Sequence, residues 1–322
     1  MSENLNKIII TKILEGLSPN IRINDFLTDI LGISTQSAYR RIKGEIPFNL
    51  NELSVLSKKL NLSIDEIIGY NNPKQAIFLL QSESYVSGHE TFYRMLSHYR
   101  DLIISASQSG MEESINTMNR LFVVFSIGYK YLFKFYYYKW MHQTLKASMY
   151  FSFSQLEMPD DINSLHDEIL RYTPYKTDVT FILDHNFFSG IVQEIEYFYM
   201  RRLITIEELA LIREDISALL DLTERSIRTG TSGNGDRTSY YYSTLNIDSN
   251  TAYVKIRDEI VSYFWIYQGG PIMTINSEVT AFHKVWIDSL KKYSVLMTGS
   301  NERLQTEFID RQRESLKRIT KL

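Results

Sequence analysis

Between Thr35 and Gly44 the chain reads TQSAYRRIKG. Thr35, Gln36, Ser37 and Tyr39 carry hydrogen-bonding side chains, and Arg40, Arg41 and Lys43 add positive charge with no acid among them. That set of groups suits a nucleic-acid duplex. A Gln amide can bond an adenine edge through two atoms, and Ser or Thr hydroxyls bond bases or phosphates. Arg and Lys neutralise phosphates or read guanine. On a helix, Ala38 and Ile42 stand four apart on one face and can pack inward. Thr35, Gln36, Ser37, Tyr39, Arg40 and Lys43 are then free to face outward.

A row of this kind reaches a groove only if neighbouring helices hold it up. The residues before it predict such a support. Phe26, Leu27, Ile30 and Leu31 give an apolar face to a helix over 25–31, and Gly32-Ile33-Ser34 follows as a tight turn. Glycine permits the steep bend of a helix–turn–helix, and Ser34 can cap the next helix. Thr28 is small where the two helices must approach. Gly44 stops the basic helix. Upstream, Ile8, Ile9, Ile13, Leu14 and Leu17 form the stripe of a first helix that Ser18-Pro19 ends. Downstream, Asn49 with Glu52 has the spacing of a reciprocal capping box, and Ser63 with Glu66 repeats it. The run from Gly69 to Pro73 breaks the pattern, and a domain boundary is expected there, after residue 72.

Residues 23–68 resemble the phage-repressor, Cro-like (xenobiotic-response-element-type) helix–turn–helix family. The matching strings are LTDILGIS, TQSAYRRIKGE and NLNELSVLSKKLNLSIDEII. The resemblance covers about a seventh of the chain. It implies a compact bundle of about five helices whose third enters the major groove of double-stranded DNA. It also implies base-side positions at Thr35, Gln36, Ser37 and Tyr39 and phosphate-side positions at Arg40, Arg41 and Lys43. Arg41 stands where that family usually has an apolar residue, which leaves the exact outward face of the third helix open.

The rest of the chain offers no comparable chemistry. Its 322 residues are 44% hydrophobic and 23% charged, enough for two or three packed domains. The absence of Cys excludes disulfides, thiol nucleophiles and Cys-ligated metal. None of the six His falls in a metal-ligand spacing. The glycine-rich loop over 229–239 lacks the ending of a phosphate-binding loop and reads as a linker or a hairpin lead-in. The net charge is −3. Within 1–72, eight basic residues (Lys7, Lys12, Arg22, Arg40, Arg41, Lys43, Lys58, Lys59) meet eight acids (Glu3, Glu15, Asp25, Asp29, Glu45, Glu52, Asp65, Glu66). Any DNA contact must therefore come from the local patch. Lysines interrupt the most apolar stretch, 121–141, so no membrane span is expected.

The expected fold is mainly α. A helix–turn–helix bundle fills 1–72 and a helical dimerisation and sensor region fills 73–237. A small α+β part, with an antiparallel sheet and two final helices, fills 238–322. Aromatic clusters at Tyr136–Tyr138 with Trp140, at Tyr240–Tyr242, and at Phe264, Trp265 and Tyr267 are read first as core or interface and second as the wall of a ligand pocket. Val279, Phe282, Trp286 and Leu290 mark the first of the final helices. The functional expectation is a cytoplasmic, homodimeric, sequence-specific transcriptional regulator that is not an enzyme. It needs no cofactor or metal and has no membrane partner. An unidentified small molecule or peptide is its candidate effector. Two alternatives stay open: a peptide-responsive regulator with a helical-array receptor, and a DNA-targeted effector or enzyme.

Overall fold

The computed structural model describes all residues except 1–4, 18–20, 61–63, 65–77, 81–87, 145–147, 173–177, 234, 258, 268–269, 300 and 319–322. The chain divides into two compact units, 1–77 and 78–322.

The first unit contains α1 (Leu5–Gly16), α2 (Ile23–Leu31), α3 (Thr35–Ile42) and α4 (Leu50–Leu60). Ile9, Ile13, Leu27, Ala38, Phe48 and Leu56 are buried together, so each of the four helices contributes to one core. Asn6 ties α1 to the segment after α3. Its Nδ2 donates to the carbonyls of Arg41 and Ile46, and its Oδ1 accepts from the Phe48 amide. The anticipated end of the first helix at Ser18-Pro19 lies outside the described residues. So do the cap at Ser63–Glu66, which would open a fifth helix, and the break over 69–73.

The second unit is built on one mixed sheet. Its strands are β1 (Leu79–Leu80), β2 (Glu113–Met118), β3 (Val179–Leu183), β4 (Thr238–Ser243), β5 (Thr251–Ile256), β6 (Glu259–Tyr267), β7 (Gly270–Thr274) and β8 (Ser294–Leu296). Their order across the eight-stranded sheet is β1-β7-β6-β5-β2-β3-β4-β8. β2, β3 and β4 run parallel, and the strands on either side join them antiparallel. Long crossovers connect the parallel strands, as parallel pairing requires. Between β2 and β3 lie α6 (Lys130–Thr144) and α7 (Asp160–Arg171). Between β3 and β4 lie α8 (Ser189–Met200) and α9 (Ile206–Thr229). α5 (Gly88–Ser109) precedes β2, α10 (Ser277–Lys292) follows β7, and α11 (Glu302–Arg318) closes the chain.

This corrects the expectation of a small antiparallel sheet confined to the C-terminal part. β1, β2 and β3 come from the region read as helical, and β4 pairs with β3 rather than with β5. The helix marked by Val279, Phe282, Trp286 and Leu290 stops at Lys292, and the apolar residues just after it, Val295 and Leu296, belong to β8. β2 and β3 do not read as strands in sequence because they are short and because β2, ESINTM, is two-thirds polar.

Period-two alternation sorts the strands into two faces. On one face, Met118, Leu183, Tyr240 and Tyr242 meet the helices α5 to α9 and α11 in the largest core cluster. Tyr136, Tyr137, Tyr138 and Trp140 belong to that core, each no more than 7% exposed. On the other face, Ile115, Ile182 and Tyr253 pack against Ile287 and Leu290 of α10. Thr205 and Glu208 form a capping box that starts α9. Gly230 ends α9 in the left-handed region, and the bridge from Thr231 to Arg237 leads into β4.

Under α10 a buried polar chain crosses three strands. The Thr117 and Thr251 hydroxyls lie 2.8 Å apart, and the ring nitrogens of His283 reach Thr251 Oγ1 at 2.9 Å and Ser262 Oγ at 2.8 Å. Burial pushes His283 down to about 4 from its ordinary 6.5, so the folded unit keeps it neutral. An unfolded chain protonates that imidazole below about 6.5 while the folded one resists until about 4. The stability His283 confers is complete above pH 6.5 and is lost as the pH falls toward 4. The shift is worth about 3 kcal/mol. Denaturant titrations at pH 7.5 and 4.5 should show a stability drop that shrinks by roughly this amount in His283→Gln. An unchanged drop would assign the acid sensitivity to other groups.

Candidate nucleic-acid interface

α2 ends at Gly32, whose φ of +62° and ψ of +32° turn the chain sharply. Ile33 packs into the core and Ser34 caps α3, its Oγ accepting from the Ser37 amide at 3.2 Å. A Cβ at Gly32 would meet nothing within 4 Å, so conformation alone decides a substitution there. Gly32→Ala should destabilise the first unit by about 1–2 kcal/mol, the cost of a left-handed backbone for an L side chain. Thermal unfolding of the full chain, followed by far-ultraviolet circular dichroism, reads that loss. A neutral outcome would mean that the turn adapts.

The α3 side chains fall into two groups. Ala38 is fully buried and Ile42 packs against the core. Thr35, Gln36, Tyr39, Arg40 and Lys43 are exposed, and Ser37 is half-buried beside its cap. These six form a contiguous outward surface of the composition read from sequence. Lys43 Nζ sits 5.6 Å from the Tyr39 ring centroid, a cation–π contact on the exposed face. Arg40 Nε bonds Glu45 Oε2 at 3.2 Å, with the two side chains 50% and 55% exposed. An exposed pair of this kind is worth at most about 1 kcal/mol. A phosphate oxygen can replace Glu45 with little loss.

Arg41 does not join that surface. Its Nε and Nη2 donate to Glu52 Oε2 and Oε1 at 2.9 and 2.7 Å, and its Nη1 donates to the Ser37 carbonyl at 3.1 Å. Both side chains of the pair are about nine-tenths buried. Arg41 therefore fills the inward position with a paired guanidinium that fastens α3 to α4. Glu52 also closes the capping box that opens α4, accepting from the Asn49 amide while its own amide donates to Asn49 Oδ1. The capping box is legible in sequence. The pairing with Arg41 is not, because it depends on how α3 and α4 pack.

A second feature lies past the carboxyl end of β2. Phe92, Met95, Arg120, Phe122, Tyr136 and Trp140 line a small cleft. Lys139 sits behind it, with Nζ 2.6 Å from Glu194 Oε2 and 4.7 Å from the Tyr136 ring. Burial pushes the Lys139 ammonium below its ordinary range, against the opposing pull of Glu194. Among the described residues no group of three His, Asp or Glu is placed to hold a metal ion. No described helix is long and apolar enough to cross a membrane.

The first unit is thus a helix–turn–helix head, α2 and α3, with an accessible α3. Residues 6–77 match the BetR domain, a helix–turn–helix-type domain. The match supports a DNA-binding regulatory role for this head and does not single out the phage-repressor type. No curated protein matches the chain.

Proposed function

We propose that this chain is a sequence-specific, DNA-binding transcriptional regulator of the cytoplasm, without catalytic activity. The observation that carries the reading is the exposed α3 surface, raised by the left-handed turn at Gly32 and backed by the Arg41–Glu52 pair. In this reading α3 lies in the major groove with Thr35, Gln36, Ser37 and Tyr39 toward base edges. Arg40 and Lys43 lie toward phosphates, and Arg41 supports them from behind.

One helix of eight residues reads few base pairs, so the chain acts as a homodimer on a two-fold site. Residues 78–322 supply the pairing and sense an effector, for which the aromatic cleft beside Arg120 is the candidate entry. The strands that interrupt the middle of the chain favour this arrangement over a helical peptide-binding array.

Titration of the full chain against a genomic fragment library at stated salt concentrations tests the reading. The expected result is selective retention of a few fragments, with affinity that falls linearly in log salt. Lys43→Ala should reduce the salt slope by about one per head. Uniform weak retention of all fragments would remove sequence specificity.

A further inference from the structure

α10 carries apolar residues on two sides. Its inward row is Thr280, His283, Ile287 and Leu290, all buried against the sheet. A second row, Val279, Phe282, Trp286, Ser289 and Tyr293, has the alternating spacing of three and four that lets one helix seam onto another. Most of this row faces solvent: Phe282 is 74% exposed, Tyr293 60% and Trp286 39%, and neighbouring Val285 is 65% exposed. Three of the four residues that mark this helix by sequence are in the second row, and only Leu290 is in the core row. Large apolar groups clustered on an open helix face mark an association surface.

The charges beside this seam indicate what covers it. Glu278, Val285 and Lys292 stand seven apart and share one flank of the helix. The flank reads acid, apolar, base, and it is self-complementary about its centre. Two copies related by a two-fold axis near Val285, with helices antiparallel, place each Glu278 against the Lys292 of the other copy, the two contacts about 21 Å apart along the helices. The same operation brings Phe282 level with Asp288 of the second copy, one residue before the small Ser289. A parallel pairing would oppose like charges at both ends. Lys284 and Asp288 bond each other at 2.6 Å along the same helix.

We infer that the α10 seam is the homodimer interface of this protein, formed by antiparallel, two-fold packing of Phe282, Val285 and Trp286 against the same residues of a second copy. The inference deepens the homodimer part of the proposed function by naming its surface. Because it is tested without DNA, its failure is separable from failure of the α3 reading. One helix pair with its flanks falls at the small end of stable interfaces, so the dimer should dissociate on dilution through the micromolar range.

Sedimentation velocity on the full chain measures that equilibrium. Phe282→Asp should raise the dissociation constant at least about tenfold with an unchanged circular dichroism spectrum. Glu278→Lys should weaken the dimer, and Glu278→Lys with Lys292→Glu should restore it. Because the chain has no cysteine, cross-linking reports the orientation directly. Val285→Cys should oxidise to a covalent dimer, whereas Glu278→Cys should do so only when mixed with Lys292→Cys. A chain that stays monomeric at about 100 µM overturns the inference, since even a small interface should populate the dimer there. So does a Phe282→Asp variant that dimerises like the wild type, or a Glu278→Cys variant that self-links more readily than Val285→Cys.

Discussion

Gln36→Ala combined with Arg40→Ala should abolish sequence-specific DNA binding while the chain stays folded. Both side chains are exposed on α3, and neither contributes to the core around Ala38 and Leu56. Loss of a bidentate base contact costs about 1–3 kcal/mol of discrimination. Loss of Arg40 removes a phosphate or guanine contact at the cost only of its exposed link to Glu45. Applied at both heads of a dimer, the pair of changes should lower affinity for a selected site by roughly a thousandfold or more. Non-specific retention at low salt should fall far less. Gel-shift titration at two salt concentrations, alongside circular dichroism, separates these effects. Wild-type affinity in the double variant would remove the assigned recognition face.

Glu52→Ala should unfold the first unit or come close to it. The substitution strands the Arg41 guanidinium in a site about nine-tenths buried and deletes the acceptor that closes the α4 cap. Breaking a buried pair from one side costs about 3–5 kcal/mol, and the lost cap adds roughly 1 kcal/mol. A head of this size has little stability beyond that. Replacing both partners, as in Arg41→Leu with Glu52→Gln, should recover most of the loss because no charge is then left unpaired. Hydrogen exchange of the α3 and α4 amides in the full chain reads the head separately from the second unit. If Arg41 instead contacted phosphate, Arg41→Leu would flatten the salt dependence of DNA binding and leave head stability unchanged.

The head was largely legible in sequence because its signals are local. Gly32, Ser34 and the Asn49–Glu52 box each lie within four residues of what they control. Arg41 was the exception. A charged residue beside Arg40 reads as solvent-facing until a carboxylate eleven positions away is seen to meet it. The second unit was less legible for the same reason at longer range. Thr117 lies in a stretch that reads as helical until Thr251, 134 positions later, supplies its partner across two strands. The three residues of β8 continue the helical pattern of α10, and only the edge of β4 makes them a strand. On α10 the amphipathic spacing was readable, but two seams of similar strength compete. Sequence alone did not say that His283 would face the sheet and Phe282 the solvent.

The interleaving of the sheet limits how this protein can be taken apart. β4 finds its parallel partner in β3, and β5 finds its neighbour in β2, both more than fifty positions upstream. A fragment beginning at residue 238 would carry five strands with no central rung to pair against, and one ending at 237 would expose the bare flanks of β2 and β3. Domain-swap chimaeras that graft this half onto a different DNA reader should therefore be cut near residue 78 and carry everything after it. Deletions inside that block should yield aggregates and not a smaller working part.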